Sequence, residues 1–379
     1  IILHTGLGRA VLAPRALQQV QEHLSGYSLL QLDVERGKRS RRDARIEWLL
    51  TQLTGAEAAT VVNNNAAATL IVLNTVGEGR EVIVSRGQLV EIGGSFRLPD
   101  VMRESGATLV EVGTTNKTHL RDYENAITED TAAILRVHPS NYKIAGFSSE
   151  VPLGDLEQLA HANDLTLIDD VGAGGLIDFS RFGFEKEPSL PESIGVGADL
   201  TISSGDKLIG GAQAGVILGR SDLIEAIRKN PLARILRVDK VTLAILEATL
   251  MLWMDEDAAM EGIPTLRMLQ RSEEDLAAQA ERIAAEVGER VPELAERVGT
   301  TAGYSQMGSG SLPTQNLPTR LVAADPGPEG AEALARRLRV WDPPVFGRIQ
   351  DETVLIDPRT LLERDEEVVI SALTGCLQR

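Results

Sequence analysis

One cysteine, Cys376, occurs in 379 residues. A single thiol excludes an intramolecular disulfide framework and any metal centre built on cysteines, and it points to a reducing, cytoplasmic compartment. Long apolar runs are also missing. None reaches the ~18 residues needed to span a bilayer; the longest candidate, Val241–Trp253, is interrupted by Thr242, Glu247 and Thr249 and reads as a buried helix. No secretory signal, internal repeat or low-complexity tract is visible. An excess of positive charge is lacking as well: 38 basic against 55 acidic residues leave −17. That balance argues against a protein that coats nucleic acid or an anionic membrane with its whole surface, but it leaves room for a local basic patch. There is no initiating methionine. The chain opens at Ile1 inside a strand-like stretch, so a preceding segment is expected.

A chain of this length suggests two domains. The first two-thirds alternate short apolar runs with helical patterns. The runs are Ala59–Val62, Glu81–Ser85, Thr108–Val112, Ala132–Val137, Thr166–Asp169, Asp199–Ser203 and Gly215–Leu218. Each is apolar on both faces, as a strand covered by helices on both sides should be. Helical spacing is found at Asn65–Val76 and Asp155–Asn163. The alternation predicts parallel pairing in a doubly wound α/β sheet. Beyond about residue 240 the pattern changes to a long helix over Ser272–Val291, with a weak capping box of Ser272 and Asp275. Strands follow at Leu317–Ala323, Pro344–Ile349 and Thr353–Ile356, the last two as a hairpin. The expected division is a large domain over 1–240 and a smaller α+β domain over 241–379.

Three stretches could carry chemistry. In Ser203-Ser-Gly-Asp-Lys-Leu-Ile-Gly-Gly211 a lysine follows a strand, where open α/β sheets bind ligands. Such a lysine can neutralise a phosphate or form a Schiff base with an aldehyde cofactor. A nucleotide P-loop is rejected, because Lys207 is preceded by Asp206 and followed by Leu208. In Leu165–Gly175 an apolar strand ends in Asp169 and Asp170. A carboxylate there can keep a pyridinium nitrogen protonated; a helix N-cap or a metal-binding pair are the alternatives, and the glycines do not fit a dinucleotide fingerprint. Val61-Val-Asn-Asn-Asn-Ala-Ala-Ala68 is a strand, a polar turn and a helix start, an anion site or an ordinary N-cap by Asn65. Together, the lysine, the upstream aspartate and the anion-binding turn fit a pyridoxal-phosphate site.

Longer motifs occur in one order: Ile2-Leu-His-Thr-Gly-Leu-Gly-Arg-Ala10, the Asn63–Ala68 turn, Val84–Gly94, Glu111–Asn116, Val137-His-Pro-Ser-Asn-Tyr142, Ser204–Gly211, Gly308–Pro313 and Val345–Ile349. The chain resembles the bacterial L-seryl-tRNA(Sec) selenium transferases, or selenocysteine synthases, almost end to end. Gly6 and Ala212 depart from the family's usual Asn and Pro. The resemblance implies a fold-type-I pyridoxal-phosphate transferase with a mostly parallel seven-stranded sheet and a smaller C-terminal α+β domain. It implies conversion of seryl-tRNA(Sec) to selenocysteinyl-tRNA(Sec) with selenophosphate, through an aminoacrylyl intermediate. It also implies a homodimer unit assembled into a homodecamer, and it places the family's small tRNA-gripping domain just ahead of Ile1.

Motif by motif, the resemblance makes Lys207 the Schiff-base lysine and Asp206 the acid that covers the catalytic amine. Asp170 faces the pyridine nitrogen, with Asp169 as its neighbour. Asn64, Asn65, Ala66, Ala67 and Ser204 hold the cofactor phosphate, His138 and Asn141 flank the ring, and Arg86 also contacts the cofactor. Arg9, Arg234 and Arg237 bind selenophosphate, for which arginine forks are suited; a solvated helix face is the other reading for Arg234 and Arg237. The run Arg36–Arg45, with six basic residues in ten, either touches tRNA, lines a subunit interface, or pairs with acidic neighbours. Two other functions compete: a pyridoxal-phosphate lyase acting on a small amino acid or amino sugar phosphate, and a silent binding or assembly protein.

Overall fold

The computed structural model describes residues 1–93 and 96–378, with Pro313 and Thr314 described by backbone only. Gly94, at the end of one motif, lies outside them. All seven apolar runs are strands of one sheet: β1 (Ala58–Val62), β2 (Glu81–Ser85), β3 (Thr108–Val112), β4 (Thr131–Val137), β5 (Thr166–Gly172), β6 (Leu200–Ser204) and β7 (Gly215–Gly219). Their order is β1-β7-β6-β5-β4-β2-β3. From β3 to β6 every pairing is parallel, as burial on both faces requires. β7 is the exception and runs antiparallel to both β6 and β1. Residues 205–214 are too few for the crossover of about a dozen residues that a parallel return needs. That short return carries Lys207.

Two compact units are present. The larger comprises Leu3–Leu266 and Gly308–Thr314; the smaller comprises Ile1–Ile2, Arg267–Met307 and Gln315–Arg379. The division near residue 240 expected from sequence therefore moves to Leu266. The cause is packing. Helix α2 (Lys240–Trp253) buries Ile245 and Ala248 against Ala13 and Ala16, and its Trp253 Nε1 donates to the Ile209 carbonyl at 2.9 Å. It belongs to the unit that holds the lysine turn. No described helix is long and apolar enough to cross a membrane.

In the larger unit, α1 (Asn65–Gly77) follows β1 and is buried along Ala67, Ala68, Ile71, Val72 and Leu73. Its first turn lies against β7 so closely that a Cβ on Gly215 would stand 2.2 Å from the Asn64 carbonyl oxygen and 2.8 Å from Ala68 Cβ. Gly215→Ala must shift either the sheet or the Asn turn. The expected cost is about 1–3 kcal/mol, read as a lowered urea midpoint, with weaker cofactor retention.

The smaller unit is built on α3 (Glu273–Arg290) and a four-stranded sheet. Ser272 caps α3 by accepting from Asp275 N at 3.1 Å. The strands are β8 (Val298–Gly308), β9 (Ser311–Ala324), β10 (Arg348–Gln350) and β11 (Thr353–Ile356), in the order β8-β9-β11-β10. The hairpin turn falls at Asp351 and Glu352, both at positive φ, the requirement of a two-residue primed turn. The strand expected from Pro344 starts only at Arg348, since prolines cannot donate to a ladder. β8 gave no sequence signal: Gly299, Gly303 and its exposed polar positions break the apolar pattern.

Candidate active site

Alternation along β5 separates the two strand-end aspartates. Asp169 is fully buried and accepts from Arg136 Nη1 at 2.8 Å and Ser193 Oγ at 2.7 Å. It is a structural charge in a closed ion pair. Asp170 has different partners: Asn65 Nδ2 (3.0 Å) and the Gly172 amide (3.0 Å) donate to Oδ1, and Thr69 Oγ1 lies 3.3 Å from Oδ2. Gly172 reaches its position at φ 63°, a conformation glycine adopts freely, and so lets its amide turn back on the carboxylate. Burial pushes the Asp170 carboxyl up to about 6, against the lowering effect of Asn65 and Gly172. The two carboxylates thus do not form a metal-binding pair. Asp169→Ala should cost about 3–5 kcal/mol by stranding Arg136, seen in chemical denaturation, while cofactor chemistry in the folded fraction persists.

The Asn-rich turn is organised differently from the sequence reading. Asn64, not Asn65, is the N-cap, accepting from Ala67 N at 2.9 Å. Asn65 is the first helical residue, and its side chain turns to Asp170. Its Oδ1 is buried without a partner among the described residues. Asn65 and Thr69 are one helical turn apart and share a face, which is how both reach the same carboxylate. Thr69 escaped the sequence reading; the i, i+4 spacing beside an Asn was the available signal.

Lys207 follows β6 in the return to β7. Its side chain is 5% exposed, and among the described residues its amine makes no hydrogen bond or ion pair. Burial lowers its pKa first and Arg9 second, while Asp206 and Asp170 act in the opposite direction. Lysine, aspartate and Asn turn are therefore neighbours. Asp206 is buried; its Oδ2 accepts from Arg9 Nη1 at 2.7 Å and its Oδ1 has no partner among the described residues. Arg9 sits at φ 64°, and the following amide, Ala10 N, donates to the Asp206 carbonyl at 3.2 Å. The segment that opens the chain is thereby tied to the lysine turn.

The remaining expected residues are placed as follows. His138 follows β4 directly, and its amide donates to the Asp170 carbonyl at 2.8 Å. Burial, helped by Arg136, lowers its imidazole to about 4, so it is neutral at neutral pH. Asn141 donates to the Glu91 carbonyl at 3.2 Å, and its Oδ1 is buried without a partner among the described residues. Ser204 is buried at the end of β6. Arg86 is committed elsewhere, with Nε on Glu111 at 3.0 Å and Nη1 on the Gly113 carbonyl. Arg234 and Arg237 are exposed, and among the described residues neither has an ion pair. A carboxyl absent from the sequence reading, Glu187, lines one small cavity with His138, Leu208 and Leu312; burial raises it to about 7.

Fold and site together define a fold-type-I pyridoxal-phosphate enzyme. The structure aligns with D-glucosaminate-6-phosphate ammonia-lyase at a TM-score of 0.67 and 22% identity, over 99% of this chain and 94% of that one. It aligns with Thermus thermophilus aspartate aminotransferase at 0.50 and 16%, over 97% and 89%. These similarities concern the fold. The family is given by sequence: the model of SelA, L-seryl-tRNA selenium transferase, matches residues 1–362. The L-seryl-tRNA(Sec) selenium transferase of Nitratidesulfovibrio vulgaris is 51% identical over 377 residues, covering all of this chain and 80% of the relative. That of Geobacter sulfurreducens is 48% identical over 373 residues, covering 98% and 80%. The chain belongs to the L-seryl-tRNA selenium transferase family.

Proposed function

We propose that this chain converts seryl-tRNA(Sec) to selenocysteinyl-tRNA(Sec), with selenophosphate as donor and pyridoxal phosphate held at Lys207. It works in the cytoplasm as a homodimer assembled into a decamer. The observation that carries the reading is a buried lysine amine without a partner among the described residues, beside a buried aspartate clamped by Asn65 and Thr69. Such a pair costs stability in a protein that has no use for it.

The residues present fit the cofactor. Lys207 offers a free amine, and Asp170 offers a carboxylate aimed by three groups. Among the described residues, Asn65 Oδ1 and Asp206 Oδ1 are buried acceptors still lacking a partner. Asn64, Asn65, Ala66 and Ala67, with Ser204, would hold the phosphate at the start of α1. His138 and Asn141 would flank the ring, the neutral imidazole adding no charge to it. Arg86 is assigned to the cofactor from the family resemblance alone.

Pyridoxal phosphate, when bound, supplies an aldehyde for the seryl amine and a ring that draws electrons from Cα. The chain's own groups then move protons. Lys207 Nζ takes the Cα proton and delivers it to the departing Cβ hydroxyl, which leaves as water. Asp170 keeps the ring nitrogen protonated. Arg9, Arg234 and Arg237 would hold hydrogen selenophosphate while its selenium bonds to Cβ, and Lys207 would pass the proton that the selenium gives up to Cα. Hydrolysis of the phosphorus–selenium bond consumes one water and releases phosphate, so serine's hydroxyl is exchanged for a selenol.

A single-turnover assay with Ser-tRNA(Sec) and selenophosphate should yield selenocysteinyl-tRNA. Elimination from a small amino acid or amino sugar phosphate without tRNA, and none from Ser-tRNA, would select the lyase reading instead.

For the tRNA contact, the basic run divides. Arg36 pairs with Asp33, Arg41 with Glu47 and Glu225, and Arg45 with Glu247. Lys38 and Arg39 lie on an exposed two-residue strand without an ion pair among the described residues. Replacing both by Ala should weaken tRNA binding and lower the salt slope by about 2. An unchanged slope in filter binding assigns the run to structure.

A further inference from the structure

Glu187 is a half-buried carboxyl that the reaction described above does not use. The cations around it are already taken. Lys143 Nζ donates to Glu185 Oε2 at 2.6 Å, and Lys186, its chain neighbour, pairs with Glu192 at 2.6 Å. Among the described residues Glu187 itself makes no hydrogen bond or ion pair. His138 is in the same condition. Its backbone is fixed on Asp170, but among the described residues its imidazole makes no hydrogen bond or ion pair. None of those residues sets which ring nitrogen carries the proton, or how the ring is turned.

The two groups share one cavity, walled by Val171, Phe179, Leu208 and Leu312. Leu208 is the chain neighbour of Lys207, so the cavity abuts the site. It has room for about one water molecule. Two glycines keep it open. A Cβ on Gly174 would stand 2.7 Å from Val171 Cγ1, and one on Gly175 would stand 2.4 Å from Phe179 Cε2. A side chain at either position would displace the walls. Glu187 is held there by its own segment. The Leu190 amide donates to the Gly175 carbonyl at 2.9 Å, and Ser189 and Glu192 close a capping box just beyond. A half-buried acid without a partner costs stability, yet the backbone fixes it at this wall.

We infer that Glu187 is a positioning residue for His138: across one water in this cavity, its carboxyl fixes which imidazole nitrogen carries the proton and how the ring is held. This rests on the reading given under Proposed function that His138 flanks the cofactor. The chemistry is complementary. A neutral carboxyl offers a donor and acceptors, and a neutral imidazole offers one of each. Burial first and Glu185 second raise Glu187 to about 7, with Lys143 acting against them. Burial and Arg136 hold His138 at about 4, against the effect of Asp169. Below pH 7 the acid keeps its proton and donates it to the water. The imidazole then accepts on that side, and its other nitrogen carries the N–H. Above pH 7 the carboxylate only accepts, so the imidazole must present its N–H to the cavity. The tautomer beside the cofactor reverses. The imidazole stays neutral throughout, since Glu187 binds a proton more tightly.

The test uses the cofactor-loaded protein with two variants, Glu187→Gln and Glu187→Leu. The amide keeps a donor and an acceptor and does not titrate; leucine has neither. One arm follows the cofactor's absorption and circular dichroism across pH 7, without tRNA. Wild type should show an inflection near pH 7 that both variants lack. Asp170 and Lys207, the other titratable groups beside the cofactor, are untouched by the amide, so only the inflection it removes belongs to Glu187. In the other arm, kcat with Ser-tRNA(Sec) and selenophosphate should fall about five- to tenfold in wild type as pH rises through 7. Glu187→Gln should keep the low-pH rate within about threefold and lose that fall. Glu187→Leu should be slower by about ten- to a hundredfold on both sides of pH 7, with a melting temperature that holds or rises. An inflection that survives in Glu187→Gln overturns the proposal. So does a wild-type rate in Glu187→Leu, or an equal loss of rate and melting temperature in both variants, which marks a structural role. If wild type fails to turn over Ser-tRNA(Sec) yet its absorption titrates through Glu187, the reaction reading has failed and the positioning role stands.

Discussion

Lys207→Ala should leave a folded protein whose turnover falls by about ten-thousandfold or more, the upper range for losing a positioned acid–base group. The residue is buried, and its amine makes no compensating hydrogen bond in the described structure. Truncating it removes an unfavourable desolvation and leaves the surrounding turn intact, since the turn is held by backbone bonds from Gly210 N to the Lys207 carbonyl and Gly211 N to the Gly205 carbonyl. The melting temperature should therefore hold or rise while activity disappears. Lys207→Arg keeps the charge and cannot form the covalent bond, so it should be as inactive. Substantial activity in either variant would remove residue 207 from the chemistry.

The second large effect lies at Asp170. Its carboxyl is raised from an ordinary 3.8 to about 6, so in the absence of cofactor the folded protein binds a proton there more tightly than the unfolded chain does. The sign follows from linkage. The ionised group lowers stability, and the penalty develops as pH rises from about 4 through about 6. Asp170→Asn in the cofactor-free protein should be more stable than wild type above pH 7, by about 2–3 kcal/mol at most, and the gain should vanish below pH 4. The amide can keep the bonds from Asn65 and Gly172 on its oxygen, and Thr69 Oγ1 can accept from its nitrogen. Catalysis should change in the opposite direction, with kcat lower by about a hundred- to a thousandfold, as for other losses of a fixed charge at a reacting centre. Denaturation of the cofactor-free protein across pH, alongside turnover of the loaded one, separates the two. A variant less stable than wild type at pH 8 would contradict the account of Asp170 as a strained, functional charge.

The seven sheet strands could be read in the sequence because most are buried on both faces and largely apolar; β3, at the sheet edge, is half-exposed. Pairing direction was less accessible: that β7 returns antiparallel depends on the length of the 205–214 connection, not on composition. In the smaller unit β8 was hidden by its glycines and half-exposed positions, and the unit boundary was hidden because α2 is apolar enough to suit either side. At the site, Lys207 and Asp170 stood out as charged residues at the ends of apolar strands. The difference between Asp169 and Asp170 did not, since it depends on which face each occupies and on Arg136 and Ser193, both distant in sequence. The same holds for Asn64 and Asn65, adjacent residues with separate tasks.

The central claim is that one buried amine, on the short return between β6 and β7, carries the cofactor. Borohydride reduction of the pyridoxal-phosphate-loaded protein, followed by proteolysis and mass mapping, tests it directly. The account predicts a single pyridoxyl modification, on the peptide containing Lys207, and none in Lys207→Ala. A modification on another lysine, or none on wild-type protein that holds the cofactor, would contradict it.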